Sequence, residues 1–312
     1  MSIGVYNLKR NRAIYSLLFM AFVQGIKNAG GTCEAVQSSS KGFTPRNSTQ
    51  LSVTFTNALS KIGNVLKKQI EEQNRYLTIY IGAFHKKGIV GTQNRNSIYG
   101  WDTNSRPRED ALYYCDLLST DYMQHEFIGE SFDRVEELNY FNLDIKPWKT
   151  EGDYILIPEQ IHPEGMGHDV SNWIDWAKNK CVEIRNITDM SIKIRRHPNR
   201  FAWKDFKKEI SAEFKNIELT DGTSLDEDLK NAYALVTLSS RCVVEAAING
   251  VHCFTQDLNS IAYPVCNTKL DFLKAPKKFD RKSWLAKVAY SHWSIEEIMS
   301  GEYYRYLSEA IF

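Results

Sequence analysis

The most regular hydrophobic patterning in the chain lies at 234–257, ALVTLSSRCVVEAAINGVHCFTQD. An apolar run at 234–238 leads into Ser239-Ser240, then a segment rich in Ala and Val at 241–249, then Gly250, then a second apolar run at 251–255. Two short apolar runs on either side of a helix predict one βαβ unit of a parallel sheet. Ser240 is placed to cap that helix, and Gly250 stands where a left-handed residue closes it.

The same rhythm recurs on both sides of this unit. A strand at 2–6, a helix through AIYSLLFMAFVQGI, a turn at 28–31 and a strand at 33–36 open the chain. A strand is predicted at 51–55, helical spacing at 57–74 (Leu59, Ile62, Val65, Leu66, Ile70) and a strand at 77–82. Residues 38–42 read as a polar loop, and 84–110 as a long basic and aromatic one; loops of that length inside compact domains usually carry function. A helix at 131–140 follows, and Pro147 and Gly152 then punctuate the chain. Beyond them come a strand at 154–157, a Trp-containing helix at 170–179, a strand at 190–194, a basic helix at 203–214 and a helical end at 283–311, where Ser294 and Glu297 form a capping box.

Composition changes this picture little. At 312 residues, with 43% hydrophobic, 12% aromatic and 25% charged residues, the chain suits two ordinary domains and excludes disorder. Six cysteines without a C-x-x-C pair argue against a zinc ribbon and for reduced thiols in a cytoplasmic protein. The basic start and apolar middle of the first helix resemble a signal peptide, but a strand precedes it and Gln24 interrupts it, so it reads as part of the fold. It is also too short to span a bilayer.

Charge changes it more. Residues 1–115 hold 15 Lys and Arg against 6 Asp and Glu, a net +9, and the remainder holds 24 against 32, a net −8. A basic first half favours a polyanionic partner. In the long loop, His85, Lys86, Lys87, Arg95, Arg106 and Arg108 interleave with Tyr99 and Trp101, a mixture that can follow a nucleic-acid backbone and stack on a base, and that a solvated surface loop also shows.

Three places offer chemistry. Hydroxyls and backbone N–H groups of Ser239 and Ser240, at a helix start on the carboxyl edge of a parallel strand, make an anion site. Glu245, one turn into an otherwise apolar helix, could hold a ribose diol or simply reach solvent. The strand at 190–194 runs into Arg195-Arg196-His197-Pro198, where an imidazole backed by guanidinium groups can stabilise charge on a departing phosphate, or form a basic surface turn. A weaker second anion loop, with Gly165 and Gly167 between His162 and His168, follows the strand at 154–157.

Taken in order, IKIRRHPN (192–199) and SLDEDLKNAYALVTLSSRCVVEAAINGVHCFTQD (224–257) resemble the donor-binding half of two-domain glycosyltransferases with a His-Pro motif and a serine turn. That group holds capsule Kdo transferases, bacterial sialyltransferases and CDP-glycerol polymerases. AYSHWSIEEIMSGEYYRYL (289–307) resembles the end of glycosyltransferase-like proteins of tailed phages. The resemblance implies an α/β fold of the GT-B type: two Rossmann-like domains facing across a cleft, 1–147 binding acceptor and 148–285 binding nucleotide-sugar, with C-terminal helices at 286–312 packing back.

It also implies roles. His197 would contact the donor phosphate, Ser239 and Ser240 would bind the same group, and Glu245 would hold the donor ribose, beside the Arg195 and Arg196 charges noted above. The family's acidic base in the first half has no clear counterpart here; Asp102 and Asp110 are candidates by position. There is no D-x-D, and neither metal nor cofactor is implied beyond the nucleotide-sugar itself. The expected activity is sugar transfer to a hydroxyl acceptor, taken as hydroxymethyl-pyrimidine bases in double-stranded phage DNA. A capsule or lipopolysaccharide glycan acceptor, or a non-catalytic nucleotide-sugar or DNA-binding module, are the alternatives.

Overall fold

The computed structural model describes residues 2–8, 13–38, 50–55, 75–81, 112–118, 128–129, 131–138, 143–160, 173–197, 210, 214, 216–220, 224–258 and 260–311. In chain order the elements are β1 (Ile3–Leu8), α1 (Ala13–Asn28), β2 (Glu34–Ser38), β3 (Leu51–Thr54), β4 (Arg75–Ile81), β5 (Leu112–Leu118), α2 (Asp133–Glu137), β6 (Tyr154–Pro158), α3 (Trp173–Arg185), β7 (Ser191–Arg195), β8 (Ile217–Thr220), α4 (Leu225–Asn231), β9 (Ala232–Val236), α5 (Cys242–Ile248), β10 (His252–Phe254), α6 (Arg281–Ala289), β11 (His292–Ser294), α7 (Ile295–Ser300) and α8 (Glu302–Ile311). They form two compact units, one of residues 1–89, 93–136 and 286–312, the other of 90–92 and 137–285.

The first unit holds a six-stranded sheet of order β2-β1-β3-β4-β5-β11. Its first four strands are parallel, while β5 runs antiparallel to β4 and β11 antiparallel to β5. Because successive side chains point to opposite faces, the register sorts this sheet into two unlike surfaces. Val5, Val53, Leu77, Ile79, Cys115 and Trp293 lie in the apolar core, closed by Leu18, Phe22 and Ile26 of α1 and by Ile298, Tyr303 and Leu307 near the chain's end. On the alternate positions Tyr6 pairs with Thr54, Ser52 with Tyr76, Thr54 with Thr78, and Tyr114 with His292. These hydroxyl and imidazole groups are buried too, and Thr54 and Tyr76 share a 2.5 Å hydrogen bond. Burial of polar groups on this scale requires that they be hydrogen-bonded.

Two elements here escape the sequence patterning. β5 reads as a mixed stretch because its sequence, LYYCDLL, alternates imperfectly and places Tyr114 on the hydroxyl face. β11 lies inside what the spacing predicts as continuous helix at 283–311; its three residues are drawn into strand by pairing with β5. The capping box of Ser294 and Glu297 is present, and it starts α7 directly after β11. Arg134 donates twice to the Glu297 carboxylate, at 2.6 and 2.9 Å, and lies 4.5 Å above the Trp293 ring.

α7 ends at Gly301, whose φ of +89° suits a residue without Cβ. The missing side chains of Gly25 and Gly301 let α1 and α7 approach to backbone distance: a Cβ on Gly25 would collide with the Ile298 carbonyl oxygen, and one on Gly301 would lie 2.5 Å from the Gly25 carbonyl oxygen.

The second unit is built on a five-stranded sheet of order β10-β9-β6-β7-β8, all parallel. Ile155, Ile157, Ile192, Ile194, Ala234 and Val236 pack on Trp173, Ala177, Cys181 and Ile184 of α3. Residues 146–153 form a strap that serves the carbonyl ends of two helices. Lys149 Nζ donates to the carbonyls of Leu229, Lys230 and Ala232, and Lys146 N to that of Ile248. Arg281 donates to the carbonyls of Ala247 and Lys146 and lies 3.8 Å above the Trp148 ring, which stacks on His252. Gly250 has the expected left-handed φ, +77°, and also leaves room for the Pro147 carbonyl.

Replacing Gly25 by Ala is expected to lower stability by about 1–3 kcal/mol, because the obstructing atom is main chain and cannot rotate away. An unchanged urea midpoint for Gly25→Ala would refute this close approach.

Candidate functional site

In the second unit β7 and β8 are added on one side of β6, and β9 and β10 on the other. The direction of winding therefore reverses between β6 and β9. In open parallel sheets the crevice for a ligand forms at such a point, beyond the carboxyl ends of the strands. The residues standing there are Glu159 and Gln160 after β6, Arg196 and His197 after β7, and Thr237, Ser239 and Ser240 after β9.

Glu159 and Gln160 hold the two outer groups. The Glu159 main-chain N–H donates to the Arg195 carbonyl at 2.8 Å, and its carboxylate accepts the His197 N–H at 2.9 Å. The side-chain oxygen of Gln160 accepts the Ser239 N–H at 3.0 Å, and its NH2 donates to the Ser239 hydroxyl at 2.7 Å. These two bonds also fix which end of the amide is which, since a main-chain N–H can only donate. A hydroxyl that accepts from the amide directs its own proton elsewhere. Consecutive residues of the central strand thus tie the His-Pro strand end and the serine turn to one place.

The turn is fixed from its far side as well. Thr237 N donates to the Phe254 carbonyl, the Thr237 hydroxyl accepts the Ser240 N–H at 3.1 Å, and the Thr255 hydroxyl donates to the Leu238 carbonyl at 2.5 Å. This corrects two expectations. Ser240 does not cap α5: the N-cap position is Arg241, which makes no side-chain cap bond, and the Ser240 hydroxyl lies 3.1 Å from the Cys242 sulfur. The N–H groups of Ser239 and Ser240 are spent inside the protein on Gln160 and Thr237, so the turn presents hydroxyls rather than a row of amides.

Arg195, Arg196, His197, Ser239, Ser240 and Glu245 all belong to this one unit, at the carboxyl edge or on α5. Arg195 is bonded to Asp228, a buried carboxylate that also takes Thr220 Oγ1 at 3.3 Å and Lys193 Nζ at 3.3 Å. Its guanidinium is thereby oriented before any ligand arrives. Burial, with the Arg195 and Arg241 charges beside it, lowers the pKa of His197 to about 4, so the ring is neutral at pH 7. Burial, and after it the Glu245 carboxylate, push the Cys242 thiol up to about 12, so it is protonated at pH 7.

Asp102 and Asp110, the loop at 84–110, His162, Gly165, Gly167 and His168 lie outside the described residues. Sequence reading missed Glu159, Gln160, Arg241 and Asp228. A signal existed for the first pair, because two long polar residues directly after the buried run YILIP must find partners at the sheet edge. Asp228 had none, being one of three acids in DED. Among the described residues no group of three or more His, Cys, Asp or Glu could hold a metal ion, and no helix is long and apolar enough to cross a membrane.

Two parallel-rich α/β units, one with strand order 2-1-3-4 and the other with the reversed winding above, place the chain in the GT-B fold class. No family model and no curated protein matches the sequence. Among solved structures the fold is similar to Thermosulfurimonas dismutans KpsC, beta Kdo 2,4 transferase, at 11% identity and a TM-score of 0.51 over 93% of this chain and 90% of that one. The beta Kdo 2,7 transferase of the same KpsC matches at 12% identity and 0.48, over 98% and 99%. E. coli heptosyltransferase WaaC with ADP matches at 10% and 0.26, over 82% and 87%. At such identity the likeness is one of fold.

Asp228→Ala is expected to cost about 3–5 kcal/mol, because it strands the Arg195 and Lys193 charges, whose side chains are 16% and 14% exposed. Chemical denaturation showing a loss under 1 kcal/mol would refute the structural role given to this pair.

Proposed function

We propose that the chain is a glycosyltransferase that moves a sugar from a nucleotide-sugar donor to a hydroxyl acceptor. The reading rests on one observation, the bonding of His197 and Ser239 to the adjacent residues Glu159 and Gln160 at the point where the sheet reverses. That arrangement supplies what a departing nucleotide needs: donors aimed at developing phosphate charge and held in place beforehand. The bond from the anomeric carbon to the phosphate oxygen breaks, the acceptor oxygen bonds to that carbon, and a base takes the acceptor proton. His197, neutral at pH 7, serves as an N–H donor to the phosphate; Arg195, Arg196 and Arg241 supply positive charge, Ser239 and Ser240 hydroxyl donors, and Glu245 holds the ribose diol. Asp102 is assigned as the base. The fold shared with a Kdo transferase supports the same reaction class.

For the acceptor the finer reading is hydroxymethyl-pyrimidine DNA. Its support is local. Counted over the compact units instead of the sequence halves, the first has 18 Lys and Arg against 16 Asp and Glu, net +2, and the second 21 against 22, net −1. The excess of positive charge in residues 1–115 is offset within its own unit by acids at 116–136 and 286–312, which leaves the basic run at 84–110 as the feature that would meet a polyanion. Sugar incorporation into hydroxymethylated duplex DNA, with none into oligosaccharides, is the expected result. Incorporation into glycans alone would replace this acceptor while keeping the reaction.

A screen of UDP, GDP, CDP and CMP is expected to raise the melting temperature with at least one of them, since a ligand of the native state stabilises by mass action. His197→Ala should weaken that nucleotide about tenfold, the scale of a hydrogen bond to a charged group. His197→Gln keeps a neutral donor and should weaken it less. Equal losses would show that the imidazole acts other than as a donor, and no shift with any nucleotide would overturn the proposal.

The His197 pKa also sets a direction with pH. It is lower folded than in an unfolded chain, so the stability it carries is present above about pH 6.5 and is lost as pH falls towards 4. A bound phosphate favours the charged ring, so nucleotide affinity should rise as pH drops from 7 to 5, and His197→Gln should flatten that rise.

A further inference from the structure

Beside the serine turn, on the β9–β10 side of the reversal point, the second unit holds a cavity of about 220 Å³. Roughly 300–1,000 Å³ is usual for a site that takes a whole drug-sized ligand. This one is too small for a nucleoside diphosphate and suits one ring. Its lining includes Trp176 of α3 together with Gln256, Asp257 and Thr268, residues whose side chains carry an aromatic ring, an amide, a carboxylate and a hydroxyl. Lys180 crosses from α3 to the same rim, with its Nζ 3.4 Å from Gln256 Oε1 and 2.8 Å from Glu183.

An aromatic face flanked by both donors and acceptors matches a polyhydroxylated ring, which has an apolar face and hydroxyls that both donate and accept. A carboxylate beside the lysine disfavours a purely anionic occupant. The cavity also shares its wall with the phosphate site. Thr255 lines it, donates to the Leu238 carbonyl and accepts the Asp257 N–H at 3.1 Å, and Leu238 directly precedes Ser239. Thr237, which takes the Ser240 N–H, lines it as well.

We propose that this cavity is the subsite for the transferred sugar ring, with Trp176 as its stacking platform and Gln256 and Asp257 as the residues that select among hydroxyl patterns. Thr255 is a positioning residue: its one hydroxyl links the sugar-selecting loop to the turn that holds the phosphate. The assignment rests on the nucleotide-sugar reading above, and it places the nucleoside on the β7–β8 side of the reversal point.

The test compares the full chain with Trp176→Ala, Gln256→Ala and Thr255→Ser, using thermal shift and dialysis with a nucleotide and with its nucleotide-sugars. Trp176→Ala and Gln256→Ala are expected to leave affinity for the bare nucleotide within twofold. Both should erase the preference, at least fivefold in the full chain, for one nucleotide-sugar over others of the same nucleotide. Thr255→Ser keeps the hydroxyl and should behave as the full chain does, whereas Thr255→Val should weaken nucleotide and nucleotide-sugar alike. Loss of bare-nucleotide binding in Trp176→Ala would assign the cavity to the nucleoside and overturn the proposal, as would an unchanged sugar preference. Independently of any nucleotide, saturation-transfer NMR with free monosaccharides at millimolar concentration should show contact with the full chain and none with Trp176→Ala. Signal in neither refutes the subsite. Sugar contact without nucleotide binding would instead sink the donor reading and leave the cavity standing.

Discussion

A strand that ends in two polar side chains has to place them, and in this protein that requirement organises the whole edge of a domain. Glu159 and Gln160 leave β6 at the centre of a five-stranded parallel sheet, with β7 on one side and β9 on the other. Each residue satisfies itself on a different neighbour, Glu159 on the chain after β7 and Gln160 on the chain after β9. Buried groups of this kind cost about 1–3 kcal/mol when left unpaired, so the bonds are enforced by folding and precede any ligand. A turn that would otherwise sample several conformations is held in one, and its hydroxyl points in a set direction. Such preorganisation is what electrostatic stabilisation of a developing charge depends on.

Much of this architecture can be read from one sequence, for a definite reason. In β6, β7, β9, α5 and β10, apolar runs and turn residues reflect burial within a parallel sheet, and these elements lie within a few residues of the prediction. Ser239, Ser240, His197 and Glu245 are found on one unit because βαβ units deliver their strand ends to one edge. What the patterning misses depends on contacts distant in sequence. β11 is a strand only because β5, more than a hundred residues earlier, offers it an edge. Asp228 looks like a surface acid of a helix start until β7 brings Arg195 and Lys193 to it. Gln160 differs from any loop glutamine only through a turn 79 residues later. The charge split at residue 115 misleads for the same reason, because that is not where the units divide.

The first unit solves a different problem. Its sheet carries one apolar face and one face of hydroxyls, Tyr6, Ser52, Thr54, Tyr76 and Thr78 among them, all buried. A slip of one residue in any strand would exchange the two faces. Register is therefore specified twice over, by the apolar set and by the hydroxyl pairs that meet across strands, as Thr54 and Tyr76 do.

That unit is also assembled from both ends of the chain, and this has a bearing on synthesis. Residues 137–285 are made as one uninterrupted piece and hold all five strands of the second sheet. The outer edge of β5 gains its partner only when His292–Ser294 leaves the ribosome, some 170 residues after β5 itself. Through that interval the earlier half carries an open strand edge of the sort that invites aggregation. Growth of the nascent chain thus orders the events: the later unit completes first, and the earlier one waits for the final two helices.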